Sequence, residues 1–302
     1  MRDVMHMVEP SERERTRRGG SFPFNFDMVV VGDTHVESEN DDAGDPNVRQ
    51  VAAISGLAGA AFPLGGVLSR PSVVLQLGDF KHENDGSVDR AAAMFRGPLI
   101  DGNHDTNDVR DLITARMGSL TWGRNWGGVW FQAMTENFVA LGNTTPPTVE
   151  QIEGPVAASV NARPIDEPLM FVVHRALSGT DGNPPTAGYL TEWDPAALDA
   201  LEALANSRRT VGILFGHDHY THRLTWRGIR CFSPGSVRMS PAVPVYSTIY
   251  PENFLVLRLR GDHYEVGSYC FGFDLNRPLS GGVVGGTGWG PGVWEWAERV
   301  NY

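Results

Sequence analysis

Residues Phe26-Asp27-Met28-Val29-Val30-Val31-Gly32-Asp33-Thr34-His35 form a β-branched apolar run that stops at a glycine. Two side chains able to hold a metal, Asp33 and His35, follow at once. Four more runs end in the same way. Val73-Val74-Leu75-Gln76-Leu77 leads into Gly78-Asp79, and Pro98-Leu99-Ile100 into Asp101-Gly102-Asn103-His104-Asp105. Leu169-Met170-Phe171-Val172-Val173 leads into His174, and Val211-Gly212-Ile213-Leu214-Phe215 into Gly216-His217-Asp218-His219. Continuous apolar runs of this length suit central strands covered on both faces. In open α/β sheets, ligands collect beyond the carboxyl ends of the strands. Five strand ends would therefore deliver Asp33, His35, Asp79, Asn103, His104, His174, His217 and His219 to one rim, including five of the nine histidines.

Each motif is ordinary when taken singly. An aspartate after a strand commonly caps a turn, and His217-x-His219 asks only that alternate residues share a face. The coincidence carries the weight: every cluster stands at the end of an apolar run, and a glycine precedes four of the five. His6, His82, His222 and His263 read as background, with His82 and His222 near enough to the motifs to support a ligand from behind.

The order of the blocks resembles the calcineurin-like metallophosphoesterase superfamily: Asp-x-His, Gly-Asp, Gly-Asn-His-Asp/Glu, a lone His, then Gly-His-x-His. All five are present in order, and with the strands that follow the resemblance covers roughly two-thirds of the chain. It implies a four-layer α/β/β/α sandwich and two divalent cations bridged by Asp79. One cation would take Asp33, His35, Asp79 and His219; the other Asp79, Asn103, His174 and His217. Nitrogen and oxygen donors without thiolate suit Mn, Fe, Zn or Co. In the family a hydroxide between the two ions attacks phosphorus. The resemblance gives His104 the task of stabilising the transition state and protonating the leaving oxygen. It gives Asp105 that of orienting His104, beside the plainer reading of Asp105 as a helix cap. A Pro234-Gly235-Ser236 turn also fits the family, and Arg175 or Arg238 would clamp a phosphate oxygen.

The chain departs from the Ser/Thr protein phosphatases of this superfamily. Where those carry Gly-Asp-x-Val-Asp-Arg-Gly and Arg-Gly-Asn-His-Glu, this sequence reads Gly78-Asp79-Phe80-Lys81-His82-Glu83-Asn84 and Asp101-Gly102-Asn103-His104-Asp105. Both phosphate-binding arginines are missing, so a protein phosphatase is disfavoured. The expectation is a phosphodiesterase on small or nucleotide substrates. The alternatives are a phosphomonoesterase or nucleotidase, a nuclease, and a scaffold without activity.

The whole sequence bounds these readings. It has 302 residues, 41% of them hydrophobic, enough for a real core. The formal net charge of -11 repels duplex nucleic acid at long range. The partner expected is a small phosphoester, and nothing in the pattern specifies an oligomer. Two cysteines, Cys231 and Cys270, make no disulfide framework and suit a cytoplasmic protein. The uncharged stretch 51–69 is about as long as a bilayer span, but its glycines, alanines and Pro63 favour a helix packed on a sheet, then a turn.

Three regions are expected: a flexible tail over 1–22, the metallophosphoesterase domain over 23–275, and a Gly/Trp-rich tail over 276–302. Within the domain, 106–165 reads as an insertion or cap, and Trp122, Trp126 and Trp130 recur at helical spacing. Asp194-Pro195, followed by Leu198, Leu201 and Leu204, predicts a helix ending near Asn206. Phe254 to Arg260, Gly261-Asp262 and Tyr264 to Cys270 predict a hairpin.

Overall fold

The computed structural model describes residues 25–37, 45–82, 86–140, 143–177, 193–217, 219, 221–235, 251–273 and 293–302. The described strands form two six-stranded sheets and a two-stranded ribbon. In the first sheet, β1 (Phe26–Val31), β2 (Val73–Leu77) and β3 (Leu99–Ile100) run parallel. Strands β12 (Pro251–Leu259), β13 (His263–Phe273) and β14 (Val293–Asn301) add to β1 in antiparallel fashion. In the second sheet, β5 (Val129–Ala133), β8 (Leu169–Val172), β9 (Thr210–Leu214) and β11 (Ile229–Ser233) are parallel. Antiparallel β4 (Gly123–Trp126) and β10 (His222–Trp226) close its two edges. The ribbon pairs β6 (Asn137–Ala140) with β7 (Asn143–Thr145).

Alternation along the strands explains the layering, because successive side chains leave opposite faces of a sheet. On β8, Met170 and Val172 enter the core that also holds Val30, Leu75 and Leu257. Leu169 and Phe171 enter a second core with Ile152, Val160, Leu201 and Leu204. Those last four belong to two helices, α4 over 149–161 and α5 (Pro195–Asn206). The two sheets meet face to face where the Tyr264 hydroxyl donates to Val211 O at 3.0 Å and Trp122 Nε1 donates to Leu99 O at 2.9 Å. Helices α1 (Pro46–Ser55), α2 (Val88–Met94) and α3 (Asn107–Met117) bring Ile54, Ala91, Val109 and Ile113 to the core around the first sheet. This is the expected four-layer sandwich.

Helix α5 begins at Asp194, whose side chain accepts from Ala196 N, with Pro195 at its first position. Helix α1 uses the same device: Asp45 accepts from Asn47 N and Val48 N, and Pro46 follows. Asn47 Nδ2 then donates to Thr34 O at 3.0 Å, tying the helix to the loop that carries His35. Helix α4 accommodates Pro155 through a π-helical turn over Ile152–Val156.

Several expectations shift. The tryptophans spaced by four are not on a helix: Gly127 and Gly128, at φ +56° and +85°, turn the chain between β4 and β5. Trp122 and Trp126 then pack edge to face, 5.7 Å apart. The stretch 106–165 supplies α3, an edge and an inner strand of the second sheet, the ribbon and α4. Within the range expected as a C-terminal tail, Val293–Asn301 form β14, paired with β13 from His263↔Asn301 onward. Residues 1–22, Trp289 and Arg238 lie outside the described residues.

Candidate dinuclear metal centre

The loops after β1 and β2 continue to hydrogen-bond beyond the strands. Asp33 N donates to Gly78 O, His35 N to Asp79 O and Val36 N to Phe80 O. Gln76 braces the bend: Gly78 N donates to its Oε1 at 2.8 Å, and its Nε2 donates to Gly78 O at 2.7 Å. Backbone conformation marks the same residues. Among the described residues, six other than glycine have positive φ, and five of them are Asp33, His35, Asp79, His217 and His219. Left-handed backbone costs such residues about 1–3 kcal/mol each, so it persists where surrounding structure enforces it and clusters at functional sites.

The side chains converge as two groups that share Asp79. Asp33, His35, Asp79 and His219 form one; Asp79, His174 and His217 form the other. In each group the possible ligand atoms all lie within 4.8 Å of one another. His35 Nε2 lies 3.3 Å from His219 Nε2 and 3.7 Å from Asp79 Oδ2. His219 Nε2 lies 3.7 Å from Asp33 Oδ1. In the second group, His174 Nε2 is 3.5 Å from Asp79 Oδ1 and 2.9 Å from Asn103 Oδ1. His174 Nδ1 faces Leu77 O at 2.7 Å. A proton on Nδ1 leaves the Nε2 lone pair aimed at the group, the tautomer a metal ligand needs. Asp33 also accepts from His217 N at 3.0 Å, stitching the two sheets together at the rim.

These residues fit a pair of cations. Asp79 is 1% exposed, and its Oδ2 has no hydrogen-bond partner although buried. Such an orphan is costly unless something positive completes it. Burial lowers His35 to about 4, against the pull of Asp79, and burial together with His35 lowers His219 to about 3. Both rings are therefore neutral at pH 7, with lone pairs available. Burial would raise Asp79, but His174, His35 and His104 hold it well below the carboxylate range. Burial would likewise lower His174, yet Asp79, Asp33 and Glu136 raise it to about 10. A positive charge thus belongs beside Asp79, and a divalent ion would replace that proton.

The remaining expected residues divide. His104 stands at the rim: its backbone N–H donates to Asp79 Oδ1 at 2.9 Å, and its ring centroid is 5.6 Å from that of His35. Asp105 is engaged with backbone. Its two oxygens accept from Phe80 N and Gly102 N, both at 2.9 Å, locking the end of β3 to the end of β2. Its side chain does not cap α3, whose N-cap is Thr106. Burial, with Asp79 nearby, raises its carboxyl to about 8.

Arg175 is buried and turned into the protein. Its Nε donates to Glu136 Oε2 at 2.9 Å, its Nη2 to Thr144 O at 3.0 Å, and its Nη1 lies 3.2 Å from His217 Nε2. An arginine so engaged braces the site and makes a poor clamp for a phosphate. Glu136 was not legible beforehand, because a single carboxylate after an apolar strand has no distinguishing pattern. Its only signal was its place, three residues past β5.

No family model matches the chain, and no curated protein does. Solved structures are similar in fold. A dimetal phosphatase from Danio rerio matches at 13% identity with a TM-score of 0.53, covering 82% of this chain and 96% of that one. GAP50, the anchor in the inner membrane complex of Plasmodium, matches at 10% identity with a TM-score of 0.55, covering 92% and 89%. With five motifs in order on two facing sheets, the chain has the fold of the calcineurin-like metallophosphoesterase superfamily.

Proposed function

We propose that the chain is a metal-dependent hydrolase of phosphoric esters, acting on phosphodiesters of small or nucleotide-like molecules. The observation that carries this reading is the pair of donor groups sharing Asp79. Two cations of the Mn, Fe, Zn or Co type held there would supply Lewis-acid charge and a water of lowered pKa. Asp33, His35, Asp79 and His219 would hold one, and Asp79, Asn103, His174 and His217 the other.

The chain's own residues do the rest. Asp79 Oδ1 and Leu77 O fix His174, and the Asp33 carboxylate fixes the His217 backbone. Asp105 holds the Gly102–Asp105 turn so that the preceding side chain, His104, stands at the mouth of the site. From there His104 would carry a proton to the departing oxygen. The engagement of Arg175 with Glu136 and Thr144 favours a diester, because a monoester dianion asks for a cation the site does not offer through that residue.

Cys231 and Cys270 are both buried and unbridged, which supports a reducing compartment, the cytoplasm. Among the described residues, no helix is long and apolar enough to cross a membrane.

The test pairs elemental analysis of the purified protein with turnover of a chromogenic phosphodiester and its monoester. Two ions per chain and faster diester turnover are expected. Faster monoester turnover overturns the diester preference, and a metal-loaded protein that hydrolyses neither ester overturns the enzyme.

A further inference from the structure

The β6–β7 ribbon springs from the carboxyl end of β5, beside the strand end of β8 that carries His174. It is anchored from both sides of the site. On the first-sheet side, Glu136 N donates to Asp101 Oδ1 at 3.2 Å and the Thr135 hydroxyl to the same carboxylate, two residues before Asn103. On the second-sheet side, the Thr144 hydroxyl donates to Glu136 Oε2 at 3.3 Å, and Arg175 reaches Thr144 O. The ribbon thus borders the half of the site formed by Asn103, His174 and His217.

Phe138 pairs directly with Thr144 across the ribbon, and opposed residues of an antiparallel pair share a face. Phe138 therefore lies on the face whose Thr144 touches Arg175, next to His217. The ring is 37% exposed, its neighbour Val139 is 57% exposed, and neither belongs to the two apolar cores. The Arg110 guanidinium stands over the ring, 5.5 Å from its centroid, and is held there by Asp101. A solvent-facing phenylalanine with a cation fixed on one face is a platform for a flat ring on its open side.

We propose that Phe138, backed by Arg110 and flanked by Val139, forms a subsite for an aromatic substituent of the phosphoester, a nucleobase or aryl group, with the phosphate at the metal centre. The proposal rests on the phosphoester reading of the site and narrows its substrate class. Stacking on Phe138 is the interaction that distinguishes an aromatic ester from an aliphatic one of equal charge.

The test is calorimetric binding of AMP and of ribose 5-phosphate to the Mn²⁺-loaded full chain, with inorganic phosphate as a third probe. AMP is expected to bind about tenfold tighter than ribose 5-phosphate, and Phe138→Ala to bring the two within about threefold, as loss of one stacking contact requires. Phe138→Trp keeps or widens the preference. Ile165→Ala, another exposed apolar residue at 69% exposure, leaves it unchanged. Equal binding of the two esters by the parent protein, or a preference that survives Phe138→Ala, overturns the subsite while phosphate binding keeps the phosphoester reading intact. If none of the three probes binds, the subsite fails, and the phosphoester reading is then decided separately by turnover of the chromogenic diester.

Discussion

His35 and His219 confront each other with their Nε2 atoms 3.3 Å apart, whereas His174 spans two oxygens, Leu77 O and Asn103 Oδ1. The first half of the site thus sets two imidazole nitrogens at hydrogen-bond distance, one donating when its Nε2 carries the proton, and a cation between them would use both lone pairs as ligands. The second half is already wired into the protein, through Leu77 on one side and the Arg175–Glu136 pair beside His217 on the other. One half brings together donor atoms that a cation would join, and the other shows how the scaffold holds its side chains still. Asp79 is common to both.

The largest effect is therefore expected at Asp79. Asp79→Asn removes the shared charge, so the metal content should fall from two ions toward none and turnover by roughly 10³-fold or more, since both Lewis-acid roles go together. His219→Ala and His174→Ala should each release one ion. Loss of a single ion from Asp79→Asn would show that the halves are independent and break the comparison.

His104 belongs to neither half. His104→Ala is expected to keep both ions while turnover falls about 10²–10⁴-fold, the usual span for a general acid. Loss of metal in this variant would move His104 from proton transfer to ligation.

Stability should answer to the wiring of the second half. Arg175→Met strands the Glu136 carboxylate, which is 1% exposed, at a cost of about 3–5 kcal/mol for a broken buried pair. Burial raises Glu136 to about 7 even with His174 and Arg175 pulling it down. Without the guanidinium it rises further, so protonation relieves the variant in acid. Denaturant titrations should find the loss larger at pH 8 than at pH 5.

Gly78→Ala should cost about 1–3 kcal/mol and reduce metal binding at the second half, because this residue's φ is left-handed. A Cβ there would stand 2.4 Å from His174 Nδ1 and 2.9 Å from Gly102 Cα. Gly154→Ala, in helix α4 with nothing within 4 Å of the added carbon, is the matched control and should be neutral or slightly stabilising.

What the sequence disclosed follows the same division. The side chains that converge were legible because each sits at the end of an apolar run, and the runs at 26–31 and 73–77 became β1 and β2 with those bounds. Helix α5 was legible from its cap and its period. Residues that support the ligands were not. Asp105 was expected to orient His104 or to cap a helix; Thr106 is the cap of α3, and the two backbone amides that Asp105 accepts from are partners that local spacing does not encode. Arg175 was assigned to substrate but serves Glu136 and Thr144, partners 39 and 31 positions away. The tryptophans at 122, 126 and 130 do pack against the cores, as their spacing suggested, but not on a helix. Spacing by four fits a helix, but Gly127-Gly128 between them permits a tight turn, and that turn won.

A last expected effect separates the halves most directly. His174, raised to about 10, carries a proton at pH 7, so a cation entering the second half must displace it. His35 and His219, lowered to about 4 and about 3, carry none. Metal binding to the second half should then release about one proton, and its affinity should rise by about tenfold per pH unit between pH 7 and 9. Binding to the first half should be flat over that range and weaken only in acid, as pH approaches 4. The reading is calorimetry of Mn²⁺ binding in buffers of different ionisation enthalpy, made on His219→Ala and His174→Ala proteins so that each half is titrated alone. Equal proton release from both would mean that the hydrogen bond from His174 to Leu77, and not its proximity to Asp79, governs that ring. The contrast between a half that waits for charge and a half that already holds it would then disappear.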